Sequence, residues 1–332
     1  MKNAIYPPDG FLFDTHTKVQ AEFIGKIKGE GTENALLWLE PIKNGAELSK
    51  PEKLAFRWEE NSAEYLFELS KDENFKDSRK IVCIDAGYEA DNLEVGTKYF
   101  WRVNGGETHS FSTRDNGFRF INLDGALNVR DLGGNKIKQG LIYRGSDIDR
   151  KFPITEEGKK TFSDVMKIKT EIELRKEADG SRPSVVAGVR MKHLPYRPYE
   201  EAFEDENREG IRKIMEFLSI EGNYPVYMHC LGGADRTGTV ALFLRALVGE
   251  DVDFIHTDYE LTSLSSYAGG LAEGAAANGF RCRNYDYYKN FFDKLSEYAP
   301  NGTVTERVRA FLNECNVTNE CMDKIISIIK SR

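Results

Sequence analysis

The 332-residue sequence predicts two units in one chain: an all-β sandwich over residues 33–114, and over 115–332 an α/β domain whose mixed or parallel central sheet is flanked by helices. Three observations carry this. Between residues 35 and 113, short runs rich in aromatic and β-branched residues (KLAFRWEE, YLFELS, KIVCID, TKYFWRVNG, THSFST) recur between Gly, Asn and Asp at near-regular spacing. Beyond residue 118, apolar strand-like runs alternate with helical patterns, the arrangement that covers both faces of a sheet. A content of 40% hydrophobic and 11% aromatic residues suffices for two cores in a chain of this length.

Residues 1–32 read as a lead-in with a Pro7-Pro8-Asp9-Gly10 turn signal, whose Phe11, Leu12, Phe13, Phe23 and Ile24 are expected to pack on a neighbouring domain. LLWLEP (36–41) is read as the first strand of the sandwich. Trp58, Leu93 and Tyr99, with Tyr99-Phe100-Trp101-Arg102-Val103 alternating in one strand, resemble a fibronectin type III or related immunoglobulin-like module, in which such a tyrosine ties a corner. His109 stands alone and the acids are scattered, so the expected role is spacing or binding a protein partner. Arg114–Gly117 is a polar boundary, and Phe118, Phe120 and Ile121 open the second domain as a strand.

There, Asn128-Val129-Arg130-Asp131-Leu132-Gly133-Gly134 predicts a fixed, hydrogen-bonded loop. ITEEGKKTFSDVM (154–166) predicts a helix with Thr155 as N-cap and acids in its first turn. Strands are expected at Ile168–Leu174 and Val189–Leu194. The acidic stretch Tyr196–Glu209 reads as a lid or a solvated loop, before a helix from Ile211 to Ile220. Helices over 254–263, 286–298, 304–315 and 319–330 carry apolar residues at three- and four-residue steps, which means packing.

The chemistry concentrates in PVYMHCLGGADRTGTVALFLRALV (225–248). Val226–His229 forms an apolar strand, Cys230–Asp235 a loop with two glycines, and a helix opens near Arg236. Inward backbone N–H groups and about half a positive charge at the helix start suit a tetrahedral oxyanion. Arg236 adds a bidentate fork, and in this field Cys230 is expected to ionise and act as a nucleophile. A buried structural cysteine is the usual alternative, but the conjunction of His229, Cys230, Gly232, Gly233, Arg236, Thr237 and Gly238 opposes it. A nucleotide P-loop lacks its lysine here.

These residues resemble the cysteine-dependent protein tyrosine phosphatase superfamily, through His-Cys-x5-Arg-Thr. HCLGGADRTG looks like the loop of a bacterial subgroup, HCxxGKDRTG, whose members also carry NxRDLGG, here NVRDLGG (128–134). Leu141–Ser146 (LIYRGS) and Glu173-Leu174-Arg175 match further segments, and Tyr259-Glu260-Leu261-Thr262 resembles one that lines the site. The resemblance spans about residues 118–332. It implies attack by Cys230 on phosphorus, a phosphocysteine intermediate, a cradle of Leu231, Gly232, Gly233, Ala234 and Arg236, and no cofactor or metal. Thr237 would donate to the Cys230 sulfur. His229 would fix the loop, with Asn128, Arg130, Asp131 and Arg144 in support.

No Trp-Pro-Asp string occurs. By resemblance the general acid is Asp235, with Glu201, Glu204 and Asp205 of the acidic stretch as runners-up. The subgroup's loop lysine is Ala234, which argues against polyphosphate substrates unless Arg130, Arg144 or Arg197 compensates. The leading substrate is therefore phosphotyrosine in proteins. Inositol phosphates or phosphoinositides come second, and a non-catalytic phosphate-binding or adhesion module stays open. A sulfurtransferase fits Cys-x5-Arg-Thr-Gly and NVRDLGG poorly.

Five cysteines (83, 230, 282, 315, 321) are too few and irregular for a disulfide scaffold or a CxxC metal site, though a local Cys315–Cys321 bridge stays open. The net charge of −8 divides as 15 Lys+Arg against 21 Asp+Glu in residues 1–115 and 31 against 33 beyond. Without a basic stripe, nucleic acid is not an expected partner. No apolar run reaches 18 residues, so no membrane span is expected. The chain reads as cytoplasmic as it stands, and as secreted or surface-bound if a signal peptide has been removed.

Overall fold

The computed structural model describes residues 5–178, 180–266 and 285–331. Cys282 lies outside them. The β-rich region starts with β1 (Phe11–Phe13), which pairs parallel with β7 (His109–Thr113). β6 (Lys98–Val103), β3 (Tyr65–Ser70) and β4 (Ser78–Cys83) complete a five-stranded sheet in the order β1-β7-β6-β3-β4. β2 (Leu54–Arg57) and β5 (Gly87–Ala90) form a second, antiparallel pair. Both sheets feed one aromatic core, in which Phe56 meets Phe67, Trp101 and Phe111 edge to face at 4.9, 5.2 and 5.7 Å. The Tyr99 hydroxyl accepts the amide of Glu94, five residues upstream, at 2.8 Å.

The expected strand at Leu36–Pro41 is instead part of a helical hairpin, α1 (Lys18–Glu30) and α2 (Thr32–Lys43). A Thr17–Gln20 capping box starts α1. Ala35, Leu36 and Leu39 are the buried apolar residues of α2, at helical spacing, and they pack with Phe23 and Ile24 of α1 against Phe118, Phe120, Phe254, Leu261 and Leu264. The lead-in thus contributes to two cores: Phe11 and Phe13 to the β-rich one, Phe23 and Ile24 to this one.

The second half is built on a six-stranded mixed sheet. β12 (Arg190–His193), β11 (Thr170–Glu173), β13 (Val226–His229) and β10 (Ile142–Gly145) run parallel, while β9 (Arg130–Asp131) and β8 (Arg119–Phe120) continue it antiparallel. Along β13, Val226 and Met228 enter one core and Tyr227 another, so both faces of the sheet are covered. The first core takes residues from α4 (Asp205–Leu218), α5 (Asp235–Leu247), α6 (Val252–Glu260), α7 (Tyr285–Leu295), α8 (Val304–Glu314) and α9 (Asn319–Ile329). The second packs beside α3 (Glu156–Lys160), which the predicted Thr155 caps through the Gly158 amide at 3.1 Å. The acidic stretch is a short 3-10 turn, Tyr199–Phe203, running directly into α4, whose first turn holds Asp205 and Glu206.

No helix among the described residues is long and apolar enough to cross a membrane. Cys83, Cys230, Cys315 and Cys321 are free thiols, so Cys315 and Cys321 do not pair.

Candidate active site

β13 delivers Cys230 to the carboxyl edge of the sheet, and α5 begins five residues later. The loop between them is held from outside by its carbonyls. Leu231 O accepts the Asp147 amide at 3.1 Å, Gly232 O accepts Asn128 Nδ2 at 2.9 Å, and Gly233 O accepts Arg144 Nη2 at 2.7 Å. In a trans peptide the N–H points opposite the carbonyl, so fixing these oxygens outward turns the amides of Gly232, Gly233 and Ala234 inward. Those amides and that of Leu231 donate to no acceptor among the described residues. The helix start follows the same logic: Ala234 is the N-cap and supplies no side-chain acceptor, leaving first-turn N–H groups for an anion.

Gly233 explains one of the two glycines. Its φ is +69°, and a Cβ there would lie 2.4 Å from the Gly145 carbonyl carbon and oxygen, so the loop seats on β10 only without a side chain.

Around this loop lies a buried ionic frame. Arg130 and Arg144 face each other across the β9–β10 ladder, a like-charge pairing that needs a counter-ion. Asp258 of α6 supplies it: Oδ1 accepts Arg130 Nε at 3.0 Å and Arg245 Nη2 at 3.2 Å, and Oδ2 accepts Arg144 Nη1 at 2.7 Å. Burial works against that carboxylate, yet Arg245, Arg130 and Arg144 hold it well below the usual range. Asn128 Oδ1 accepts Arg130 Nη1 at 2.5 Å, joining Arg130 to the loop anchor. Thr262 closes the frame through its hydroxyl oxygen, 3.3 Å from Asn128 Nδ2 and 3.4 Å from Arg130 Nη2.

Asp131 is the exception among the expected supports. Successive residues of a strand point to opposite faces, so Arg130 faces the cradle and Asp131 turns away. There it accepts Arg119 Nη1 at 2.8 Å and the amides of Gly133 and Gly140 at 2.7 and 2.6 Å. Arg119 in turn donates to the carbonyls of Asn92 and Leu93, so Asp131 serves the junction with the β-rich region.

Beneath Cys230, the fully buried His229 places Nε2 3.0 Å from Glu171 Oε1 and Nδ1 4.0 Å from Glu173 Oε2. Burial opposes the imidazolium, but the two carboxylates raise its pKa above the ordinary value, and Glu171 is held down to about 2 against its own burial by His229, Ser184 and Arg182. Arg175, the end of the Glu-Leu-Arg segment, ties Glu173 to Asp147, whose amide anchors the loop. The buried Thr237 hydroxyl has no hydrogen-bond partner among the described residues, so the expected bond to the Cys230 sulfur is not formed.

Arg236 donates through Nη1 to both Glu177 carboxylate oxygens, at 3.2 and 3.1 Å, whereas its Nε and Nη2 donate to no acceptor among the described residues. Burial disfavours its charge, but Cys230 and Glu177 hold the guanidinium above its usual range. Beside it opens a pocket of about 380 Å³, walled by Lys176 and Glu177 and by Tyr196, Arg197, Pro198 and Glu201. Arg197 pairs with Glu201 at 2.7 Å and Lys176 with Glu206 at 2.7 Å. Glu204 and Asp205 are exposed, so of the runner-up acids only Glu201 reaches this pocket. Asp235 accepts the Tyr199 hydroxyl on Oδ1 at 2.6 Å.

Sequence reasoning missed Asp258, Glu177, Tyr199 and Glu171. Tyr259-Glu260-Leu261-Thr262 was a partial signal, since Thr262 joins the frame and Asp258 immediately precedes the segment.

Compared with known proteins, the family-wide sequence profile of the tyrosine phosphatase family matches residues 121–332. No protein of curated function matches. Among solved structures, the catalytic core of the PP-IP phosphatase SIW14 from S. cerevisiae is 19% identical, with a TM-score of 0.30, over 38% of this chain and 74% of that one. TpbA of P. aeruginosa is 19% identical, with a TM-score of 0.32, over 55% and 90%. The Orf virus tyrosine phosphatase OH1 is 15% identical, with a TM-score of 0.22, over 55% and 86%.

Proposed function

Because the chain belongs to the tyrosine phosphatase family, we propose that its cradle hydrolyses phosphotyrosine in proteins through a phosphocysteine on Cys230. The observation that carries this reading is the outward anchoring of the Leu231, Gly232 and Gly233 carbonyls, which leaves inward amides around a single thiol. Cys230 sulfur attacks phosphorus in line, the ester P–O bond breaks, and the departing oxygen takes a proton from Asp235. Water then adds to phosphorus, giving its proton to the Asp235 carboxylate, and the P–S bond breaks to return Cys230. The loop amides and Arg236 Nε and Nη2 carry the charge of the three equatorial oxygens, while Glu177 keeps the guanidinium turned toward them. The unpartnered Thr237 hydroxyl is the donor for the sulfur once the loop closes on an anion.

Inositol phosphates form the second reading, supported by Lys176 and Arg197 at the pocket beside Arg236. The acids paired with both cations, and Ala234 in place of a lysine, favour the first.

For the β-rich region we adopt, in place of the expected 33–114, a fibronectin type III-like sandwich of Leu54–Thr113 joined by β1 (Phe11–Phe13), preceding a catalytic domain at 115–332, with a protein partner as its ligand. Two sheets on one aromatic core and the Tyr99–Glu94 bond support it. The HCLGGADRTG and NVRDLGG strings support placement in the bacterial subgroup, and the cytoplasm remains the compartment proposed for the chain as it stands.

The test is phosphate release by the intact protein and by Cys230→Ser from a phosphotyrosine peptide, a phosphoserine peptide and a phosphoinositide, in buffer with chelator. Release from the phosphotyrosine peptide that disappears in Cys230→Ser is expected. Preferred release from the phosphoinositide would select the second reading, and equal release by Cys230→Ser would remove Cys230 as nucleophile.

A further inference from the structure

We propose that Tyr199 is a positioning residue for proton transfer, orienting the Asp235 carboxyl through a two-phenol relay; this rests on the reading of Asp235 as the acid. Tyr199 lies in the turn before α4 with φ +60°, a left-handed conformation that an aromatic residue adopts only under strain. Its ring is buried, at 6% exposure, and its hydroxyl donates to Asp235 Oδ1 at 2.6 Å. The same oxygen lies 2.7 Å from the hydroxyl of Tyr259, on α6.

The hydrogen count sets the direction of the relay. With the acid's proton on Oδ2, Oδ1 only accepts, as both oxygens do in the carboxylate, and a phenol has one proton to give. Tyr199 therefore gives its proton to the bond with Asp235, and Tyr259 donates to Tyr199. Tyr259 is itself held by stacking on Tyr288, with ring centroids 3.7 Å apart, and it follows Asp258, the hub of the arginine frame. The relay thus ties the acid to the helix that also anchors the cradle, and the backbone of Tyr199 bends to keep it.

The chemical consequence is specific. With Oδ1 held by Tyr199, the proton leaves from Oδ2 to the departing ester oxygen, and the carboxylate so formed already has a donor on its other oxygen. In the second step that carboxylate takes a proton from the attacking water while Tyr199 holds its orientation. The buried phenol of Tyr196 lies within the charges of Cys230, Arg236 and Asp235, and its hydroxyl donates to the Arg236 carbonyl.

The experiment compares the intact protein with Asp235→Asn, Tyr199→Phe, Tyr259→Phe and Asp235→Asn/Tyr199→Phe on aryl phosphates whose leaving phenols span a wide range of acidity. Asp235→Asn is expected to lose most on the least acidic phenols. Tyr199→Phe should follow the same trend, with a loss of about tenfold on the poorest leaving group and little on the best. Tyr259→Phe, which leaves the Tyr199–Asp235 bond in place, should show a smaller loss of the same form, and the double variant should lose no more than Asp235→Asn alone. A uniform loss across the series for Tyr199→Phe, or a double variant whose losses multiply, would overturn the relay while leaving Asp235 as acid. A flat series for Asp235→Asn would overturn both.

Discussion

Two buried arginine–aspartate contacts sit one residue apart on β9 and do different work. On the cradle side, Arg130 meets Asp258, which also takes Arg144 and Arg245. On the junction side, Asp131 meets Arg119, which holds the carbonyls of Asn92 and Leu93. Burial raises both carboxyls, but three guanidiniums pull Asp258 far below its usual range, whereas with Arg119 alone Asp131 stays raised. The difference teaches that the frame around the loop is over-supplied with positive charge. Asp258 neutralises three arginines, of which Arg144 holds the Gly233 carbonyl outward and Arg130 braces the Asn128 that holds Gly232, while Asp131 fastens one region to another.

The largest expected break comes from Asp258→Asn. It leaves three buried guanidiniums with Glu250 as the remaining carboxylate partner of Arg245, and removing one partner of a buried ion pair costs about 3–5 kcal/mol. Both thermal stability and turnover of the folded fraction should fall, because Arg144 no longer holds the Gly233 carbonyl in place. Wild-type turnover in the fraction that remains folded would separate the frame from the cradle.

Asp131→Asn should cost less, about 3 kcal/mol at the low end of that range, since the one side-chain oxygen it keeps still accepts the Gly133 or the Gly140 amide. It should lower the unfolding midpoint and leave kcat near wild type, as measured by urea titration alongside phosphate release. A fall in kcat matching that of Asp258→Asn would return Asp131 to the cradle, where its position next to Arg130 in the motif first suggested it belonged.

That correction shows where sequence reading stops. Cys230 through Gly238 was legible because strand, loop and helix start are contiguous, so spacing alone encodes geometry. Strands such as β3 and β6 were legible from alternation against turn residues. Asp131 was misassigned because adjacency in a motif says nothing about which face of the pleat a residue takes. Leu36–Pro41 was misread because a short apolar run fits strand and helix alike, and only its contacts with Phe23 and Phe118 decide. Asp258, Glu177 and Tyr199 reach the loop through topology, and no local pattern marks them.

A third buried carboxylate sharpens the comparison at smaller amplitude. Glu171 sits under the cradle beside His229, its pKa held down to about 2 from an ordinary 4.5. A depressed carboxyl contributes stability above its unfolded pKa and loses it as pH falls through the folded value, so this contribution should fade between about pH 4.5 and 2. His229 is raised above 6.5, so its contribution is complete below that pH and is lost as pH climbs through the raised folded value. Urea midpoints of the intact protein should therefore decline on both sides of a plateau. Glu171→Gln should lower the plateau by about 1–2 kcal/mol and weaken the acid limb, since of the two carboxylates beside His229 only Glu173, also held below its ordinary pKa, remains to protonate. The alkaline limb should shift to lower pH, because only the more distant Glu173 then supports the imidazolium. An unchanged alkaline limb in Glu171→Gln would show that His229 is neutral in the native protein, and that Glu171 acts on the loop through Arg182 instead.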